Sequence, residues 1–454
     1  MKVAKFGGSS LSNATQIQKV AKIIQNDPEI QFVIVSAPGK RDDKDTKVTD
    51  LLIHLFDEKV HSGSIERAKQ MVLDRYSSIA DELSLSKEII THFDHVLTEY
   101  LSSITDPLRL LDALKACGED FNAQLISQYF QRIGLNARYI SPAELGIIVS
   151  DEPSNAHLLL ESYDKIAQYK HDEQILIIPG FFGYSPNGNI VTFPRGGSDI
   201  TGAIVARGVE ADIYENFTDQ SYIYAAHPGI VRKPYPIKEI TYREMRELAY
   251  SGFGIFHDEA LEPLYQVDIP VMVRNTNHPE IAGTKIVAQR EINPNLPAIG
   301  ISCDEGFTAI SINKYLLNRQ LGFTRKLLQI FENYHISIEH IPTGIDDISV
   351  VVRSHQLAAP GTLDALLKNI EEQLDPDFIN VETDLAIVVI VGEEMAEVVG
   401  TANKATRALA SQAINILMIN QGASEISMFY TISMDDKDDA IRALYREFFG
   451  HLHF

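Results

Sequence analysis

The chain opens on the stretch Val3-Ala4-Lys5-Phe6-Gly7-Gly8-Ser9-Ser10, which decides how its first domain is interpreted. An apolar strand runs into a Gly-Gly turn, and the apolar residues from Leu11 to Ile24 then recur at helical spacing, with Ser9 or Ser10 as predicted N-cap. A helix N-terminus offers unpaired N–H groups, glycine lets a phosphate approach the backbone, and the ammonium of Lys5 can reach the same phosphate. The stretch therefore predicts a phosphate site, with a tight turn and a surface lysine as the alternative.

Length and charge bound the partners of this chain of 454 residues and formal charge −22. The length predicts two to four domains, and the negative charge argues against nucleic acid or an anionic membrane surface as the main partner. Cys117 and Cys303 form no CxxC motif, which is typical of a reducing cytosol and argues against a cysteine-built metal site. Because we find neither a signal-peptide core nor an apolar run of bilayer length, we expect a cytoplasmic protein without membrane contact.

Apolar strands alternate with helical stretches through the first 294 residues. This pattern predicts an α/β domain with a largely parallel sheet over residues 1–294, ending at a Pro-rich connector at 293–297. The charged, glycine-poor segment 57–104 predicts two or three helices. The predicted strands are Val3–Phe6, Phe32–Ser36, Ile175–Ile178, Ile213–Phe217 and Pro270–Arg274.

Beyond the connector the sequence repeats itself at an offset of 78 residues (336 to 414). The matched positions are Ile336, Ile338, Ile341, Gly344, Ile348 and Ser349 with Ile414, Ile416, Ile419, Gly422, Ile426 and Ser427. The same offset pairs Gly322 with Gly400, each opening a predicted helix, and the strand Phe307–Ile312 with Leu385–Ile390. The two copies, at 298–376 and 377–454, each have the predicted order strand, helix, strand, glycine turn, strand, helix, with the second strand of the first copy around 336–341. They therefore predict two small ferredoxin-like α+β modules, with a duplicated packing module without ligand as the alternative.

A second glycine turn stands at Arg195-Gly196-Gly197-Ser198-Asp199, before another predicted helix. The planar fork of the arginine suits a carboxylate, whereas the aspartate can hold an ammonium or order a metal-bound phosphate. Two such turns, one beside Lys5 and one beside Arg195, suit the transfer of a phosphoryl group to a carboxylate. For Asp199 the alternative is a helix-start residue favoured by the dipole.

Two helix starts supply weaker candidates. Cys117-Gly118-Glu119 is predicted to start the helix Asp120–Arg132, where a glutamate ordinarily serves as dipole compensation. Thr49 lies near the start of another helix and is equally suited to a plain N-cap. Neither position is informative in isolation.

Polar residues end the predicted strand Ile213–Phe217. Thr218 and Asp219 follow it directly, and Tyr224 comes soon after. Open α/β sheets bind ligands at the carboxyl ends of their strands. These side chains suit an adenine or a ribose, with an ordinary polar turn as the alternative.

Taken together, these segments resemble the aspartate kinases of the amino-acid kinase family over essentially the whole chain. The resemblance runs from Lys5-Phe6-Gly7-Gly8-Ser9-Ser10 to the paired C-terminal modules, which are similar to ACT domains. It implies an open αβα sandwich of the amino-acid kinase type, followed by two ACT modules. It also implies transfer of the ATP γ-phosphate to the side-chain carboxylate of L-aspartate. The product would be 4-phospho-L-aspartate, on the first step toward lysine, threonine and methionine.

The resemblance implies a role for each matching residue. Lys5 would neutralise the phosphoryl group in flight, and Asp199 would order the reacting centre. The residues that would hold aspartate are Thr49, Glu119 (at its ammonium), Phe181, Arg195 (at its carboxylate) and Ser198. Those that would hold ATP are Lys5, Gly7, Gly8, Ser9, Thr218, Asp219, Tyr224 and Arg232. Mg²⁺ would enter with ATP, bound chiefly by phosphate oxygens, so no protein cage is expected.

The ACT resemblance implies an amino-acid effector bound at an interface between modules. The helix start at Gly322 would take its carboxylate and Glu339 its ammonium. The candidate contacts are Leu317, Gly322, Phe323, Ile338, Glu339 and Thr343, most of which would otherwise be module core. We expect lysine as the effector, with threonine as the alternative, and a homodimer formed through these modules, with a tetramer as the alternative.

Two other functions stay open at this point. A kinase for another amino acid would share the fold and the glycine turns, although the duplicated modules and the segment Arg195–Asp199 argue against it. A non-catalytic amino-acid sensor is the second alternative, because Gly229 and Gly254 stand where the family leads us to expect basic residues. Arg232 and Lys233 are the nearby source of positive charge. Since the chain ends at Phe454, we do not expect a fused dehydrogenase.

Overall fold

A computed structural model describes residues 1–61, 63–194, 196–254, 260–291, 293 and 296–452. The chain forms two compact units. The first contains Met1–Ile223, Pro236–Arg246 and Gly254–Arg290, and the second contains Tyr224–Tyr235, Glu247–Phe253 and the chain from Glu291 onward. The second unit thus takes in two short segments from the predicted first domain. Of the predicted connector, positions 294 and 295 lie outside the described residues.

An eight-stranded sheet forms the centre of the first unit. Its strands, in spatial order, are Glu239–Thr241, Thr284–Val287, Val271–Asn275, Ile213–Thr218, Lys2–Phe6, Ile30–Val35, Ile175–Pro179 and Ala137–Tyr139. Neighbours are parallel except Thr284–Val287 against Val271–Asn275. Nearly every residue of the central strands is buried, so both faces of the sheet are covered. The αβα sandwich is confirmed, and so are the five predicted strands.

Helices pack around this sheet and build an arm beside it. Segment 57–104 is helical in Val48–Val60, Ile65–Glu82 and Glu88–Ser103, as predicted. The rings of Phe93 and Phe121 stack with centroids 4.1 Å apart, and Tyr76 meets both edge-on, which fixes the arm against the long helix Pro107–Arg132. The remaining helices and short strands from the first 294 residues are Ala14–Asn26, Pro142–Leu145, Glu161–Ile166, Gly197–Gly208, Tyr242–Tyr250, Glu262–Tyr265, Phe182–Tyr184, Ile190–Thr192, Ile223–Tyr224 and Pro236–Ile237.

The predicted N-cap of the first helix is wrong. Gly8–Leu11 forms a short 3₁₀ helix, and the α-helix begins at Ala14, where the Asn13 side chain accepts a hydrogen bond from the Gln16 amide at 3.0 Å. Ser10 is committed elsewhere, because its hydroxyl lies 2.6 Å from that of Thr276 in a buried hydrogen bond. The glycine turn therefore leads into a 3₁₀ turn before the α-helix.

The predicted helix start at Cys117-Gly118-Glu119 is also wrong. The helix begins at Pro107, and the Asp106 side chain caps it by accepting from the amides of Leu108 and Arg109. Gly118 lies in mid-helix, where a Cβ would stand 2.9 Å from the Cβ of Ala37, so the close contact favours glycine. The glycine marks a close approach rather than a helix end.

A five-stranded antiparallel sheet forms the centre of the second unit. Its strands, in spatial order, are Asp347–Arg353, Gly300–Asn313, Phe378–Val391, Ser427–Ser433 and Met418–Gln421. Its helices are Phe323–Asn333, Thr362–Leu374, Thr401–Ala410 and Lys437–Phe449. Among the helices of the described ranges, none meets the length and apolarity needed to traverse a bilayer.

The internal repeat is visible in the backbone. Gly322 and Gly400 precede equivalent helices at φ of 77° and 94°, and His335 and Ala413 have φ of 55° and 57°. The second copy has the predicted order of strands and helices. In the first copy the strand expected around 336–341 is reduced to isolated bridges, because Pro342 lacks the N–H needed to continue a ladder.

Candidate active site

Five neighbouring parallel strands end at one edge of the first sheet, and the loops that follow them carry most of the candidate residues. The first backbone groups of these loops continue the strand pairing. Ser36 N donates to Phe6 O at 3.2 Å, and Gly180 N donates to Val35 O at 3.0 Å. Thr276 N likewise donates to Thr218 O at 2.9 Å. The loops therefore leave the sheet in fixed register, at the edge where such sheets bind ligands.

An ion pair joins the two glycine turns. The Lys5 ammonium lies 2.6 Å from Asp199 Oδ1, and Asn216 Nδ2 donates to the same oxygen at 2.6 Å. Asn216 is the register partner of Lys5 on the adjacent strand. Asp199 is in the first turn of Gly197–Gly208, which opens at Gly196 with φ of 77°. Since Lys5 is only 8% exposed, the interpretation of a surface lysine is wrong.

The first glycine turn has one crowded and one open glycine. Gly8 O accepts from Gly39 N at 2.9 Å, and a Cβ on Gly8 would stand 2.9 Å from Ala37 O. A Cβ on Gly7 would be 3.6 Å from the Lys5 ammonium nitrogen, an ordinary contact distance. Gly8 therefore fixes the turn to the next loop, whereas Gly7 leaves room beside Lys5. The third predicted phosphate contact, Ser9, is exposed.

Glu119 is a buried carboxyl beside cations. Its Oε1 accepts from Ala37 N at 3.0 Å, and its Oε2 has no hydrogen-bond partner within the described part of the chain. Burial raises the pKa of Glu119 to about 8, although the Ala37 amide, Lys5 and Lys115 act in the opposite direction. A buried acceptor of this kind suits a substrate ammonium.

Phe181 and Ser198 meet across two glycines. A Cβ on Gly180 would stand 2.7 Å from Ser198 Oγ, and one on Gly197 would stand 2.6 Å from Phe181 Cδ2. Phe181 adopts φ of 77°, and its amide donates to Thr201 Oγ1 at 3.0 Å. The loop after Ile175–Pro179 thus packs directly on the second glycine turn.

The remaining two aspartate candidates differ in what the structure says of them. Thr49 is the second residue of Val48–Val60, behind Lys47, so the N-cap interpretation is wrong. Arg195 lies outside the described residues. The loop that leads to Thr49 is held by buried Arg75, which donates to Asp45 and to Gly39 O, each at 2.6 Å.

The predicted nucleotide residues are divided between the two units. Thr218 ends a strand of the first unit and Asp219 follows it, and the Thr218 hydroxyl donates to Asp219 Oδ1 at 3.2 Å. Tyr224 and the exposed Arg232 belong to the second unit. Their roles stay predictions.

Two polar loops at this edge were not predicted to contribute to the site. Ala37 and Gly39 contact Glu119 and Gly8, as described above. Asn275 Nδ2 donates to Asp219 O at 3.0 Å, and its neighbour Thr276 holds Ser10. Both loops directly follow predicted strands, and that position was the available signal.

The effector candidates divide into core and surface. Leu317 and Phe323 are buried in the first module, so the interpretation as core is correct for them. Ile338 packs partly against the same core, and Thr343 is exposed. Gly322 opens its helix as predicted.

Glu339 is already paired. Its Oε1 accepts from Arg353 Nε at 3.0 Å, and its Oε2 accepts from the Tyr250 hydroxyl. Arg353 also lies 2.7 Å from Asp304. The predicted role of Glu339 as receptor for an effector ammonium therefore gains no support from this geometry.

Comparison with known proteins agrees with this architecture. Residues 1–275 match the amino acid kinase family, and residues 388–448 match the ACT domain. The chain is 46% identical to aspartokinase 3 of Bacillus subtilis over 451 residues, 99% of each chain. It is 25% identical to the lysine-sensitive aspartokinase 3 of Escherichia coli, over 98% of this chain and 99% of that one. The crystal structure of aspartate kinase from Clostridium acetobutylicum matches with a TM-score of 0.87 at 37% identity, over 99% and 100% of the two chains.

The chain is an amino acid kinase, because that family matches residues 1–275, and it also carries an ACT domain. The mostly parallel sheet and the ion pair between the two glycine turns agree with this class. Within that class, the chain belongs to the aspartokinase family.

Proposed function

We propose that this enzyme transfers the γ-phosphoryl group of ATP to the side-chain carboxylate of L-aspartate, giving 4-phospho-L-aspartate. The observation that carries the proposal is the Lys5–Asp199 ion pair between the two glycine turns, with the buried Glu119 close to Lys5. A carboxylate attacks a polyanion poorly because like charges repel, so the protein must supply cations, backbone donors and positioning. Lys5 supplies the cation, and Asp199 with Asn216 fixes its direction.

On the aspartate side, Glu119 accepts from the substrate ammonium and Phe181 forms a wall of the pocket. The Ser198 hydroxyl lies close to Gly180, which precedes Phe181 in the same loop. The roles of Thr49 and Arg195 rest on the family resemblance. Such a site would discriminate by charge, because a substrate without the ammonium leaves the Glu119 carboxyl unpaired.

On the nucleotide side, the open Gly7 and the backbone of Gly8 and Ser9 receive the phosphates, and Thr218 and Asp219 follow the neighbouring strand. The substrate is ATP in its Mg²⁺ complex. No cluster of three or more His, Cys, Asp or Glu side chains suited to a metal ion occurs within the described ranges. The ion would arrive bound by phosphate oxygens.

We further propose feedback by an end-product amino acid on this first step toward lysine, threonine and methionine. The kinase domain would occupy 1–294, and the ACT modules 298–376 and 377–454. Lysine is the favoured effector, because the Escherichia coli relative is lysine-sensitive, and threonine is the alternative. Assembly would be a homodimer through the ACT modules, with a tetramer as the alternative, in the cytoplasm.

The direct test is turnover of ATP and L-aspartate with hydroxylamine as the trap for the acyl phosphate. We expect aspartyl hydroxamate that requires both substrates and falls when lysine is added. Hydroxamate from glutamate instead of aspartate would identify another amino-acid kinase. A folded protein that binds ATP yet forms no hydroxamate would support the sensor alternative.

The pair Gly7→Ala and Gly8→Ala tests where the phosphates lie. Gly8→Ala should cost roughly 2 kcal/mol of unfolding free energy, because the new methyl meets the Ala37 carbonyl. Gly7→Ala should fold normally but raise the KM for ATP about tenfold, because its methyl enters the space beside Lys5. Thermal unfolding and ATP kinetics separate the two effects. An unchanged KM for ATP in Gly7→Ala would place the phosphates elsewhere.

A further inference from the structure

The segment Tyr224–Tyr235 carries two of the predicted ATP contacts, Tyr224 and Arg232, yet it belongs to the same compact unit as the ACT domain. We propose that the C-terminal helix of the ACT domain, Lys437–Phe449, positions this segment for ATP, with Tyr445 as the chief positioning residue. The ATP half of this inference rests on the proposed function.

Apolar burial fastens the segment to the helix. Ala226 and Val231 form a buried cluster with Ile441, and Ile230, Cys303 and Tyr445 pack against it. Ala226 is fully buried and Val231 is 8% exposed. A segment of this length with almost no secondary structure of its own depends on such contacts for its conformation.

Hydrogen bonds fix both ends and the middle of the segment. At its ends, Ala225 N donates to Tyr235 O at 2.9 Å, and Ile301 N of the first ACT strand donates to Ala225 O at 2.7 Å. In the middle, Arg442 Nε donates to Ile230 O at 3.3 Å. The segment is therefore a closed loop held by the five-stranded sheet of the second unit and by the helix Lys437–Phe449.

Tyr445 provides the contact of greatest consequence. Its hydroxyl accepts from Tyr235 N at 2.9 Å. Its ring stacks on Phe449 at 5.3 Å, and Phe449 stacks on Tyr235 at 6.1 Å. The bond from Ala225 N to Tyr235 O closes the loop, and the amide that Tyr445 holds belongs to the same Tyr235. Loss of the Tyr445 hydroxyl therefore weakens this closure, directly beside Tyr224, which precedes Ala225 in the sequence. A residue of the ACT domain would thus set nucleotide affinity without contacting the nucleotide.

The test compares Tyr445→Phe with Tyr430→Phe in the full chain. Tyr430 lies in the same domain, and its hydroxyl contacts only the Met428 sulfur, at 3.6 Å, among the contacts of the described residues. For Tyr445→Phe we expect the Kd for ADP, by titration calorimetry, and the KM for ATP to rise about fivefold, with the KM for aspartate and the Tm unchanged. Tyr430→Phe should match the wild type in all four measurements. Arg442→Met, which removes the donor to Ile230 O, should act in the same direction as Tyr445→Phe.

Hydrogen exchange of the amides at 226–235 separates this inference from the proposed function. Faster exchange in Tyr445→Phe, together with weaker ADP binding, supports the proposal even if aspartate proves not to be the substrate. Unchanged exchange, or faster exchange with unchanged ADP binding, would overturn it. An equal rise in both KM values with a lower Tm would also overturn it, because that pattern indicates general destabilisation.

Discussion

Lys5→Met is expected to abolish turnover, lowering kcat by roughly 10³-fold while the protein stays folded. The ammonium nitrogen of Lys5 lies 3.6 Å from the place where a Cβ on the open Gly7 would stand, and Asp199 and Asn216 hold it in place. Methionine keeps most of the aliphatic volume of this buried side chain but removes the charge that would offset repulsion between a carboxylate and a phosphate. Single-turnover hydroxamate formation and thermal unfolding measure the two quantities.

A double substitution separates charge from packing. Lys5→Met leaves the Asp199 carboxylate, whose side chain is only 13% exposed, without its cation, which costs stability as well as activity. Adding Asp199→Asn should restore the Tm while turnover stays lost. Lys19→Met, at a partly exposed lysine on the first helix that donates to Asn277, is the matched control and should be active. Near-normal activity in Lys5→Met would remove Lys5 from its proposed role.

The sequence was sufficient for the features that depend on local pattern. Apolar strands such as Ile30–Val35 are buried on both faces, and their continuous hydrophobicity shows this directly. Both glycine turns and the repeat of the ACT modules were likewise readable, since Gly322 and Gly400 adopt the same left-handed backbone. These features need only neighbouring residues to be specified.

The predictions that are wrong concern residues whose roles depend on contacts distant in sequence. The predicted helix start at Cys117-Gly118-Glu119 is wrong because Gly118 serves a close approach to Ala37, 81 positions earlier (118 − 37). The signal that would have corrected this is Asp106-Pro107, a cap followed by proline at the first helical position. Similarly, the predicted N-cap at Ser9 or Ser10 fails because Ser10 bonds Thr276, 266 positions away, which local pattern does not show.

The second large effect concerns Glu119 and pH. Because burial raises the pKa of Glu119 to about 8, only about a tenth of the free enzyme carries the carboxylate at pH 7. In the proposed role of Glu119, the substrate ammonium requires that carboxylate, so kcat/KM for aspartate should rise with pH through about 8 and then level off. Glu119→Gln should lower kcat/KM roughly 100-fold at pH 8.5 and abolish the rise.

Among the residues that the structure describes, Lys5 on the first strand, Lys115 on its own helix and Tyr76 on the arm interact electrostatically with Glu119. The adjacent Asp120, which accepts from Tyr139 and Gln124, provides the control: Asp120→Asn should keep the pH profile.

Stability supplies an independent sign for the same pKa. The unfolded carboxyl ionises near 4.5, so the contribution of neutral Glu119 to stability is complete below that pH and is lost as pH rises through about 8. The wild type should therefore lose more unfolding free energy than Glu119→Gln between pH 5 and pH 8.5. Equal losses, measured by denaturant unfolding, would show that Glu119 is ionised throughout, and the rise in kcat/KM would then have to come from another group.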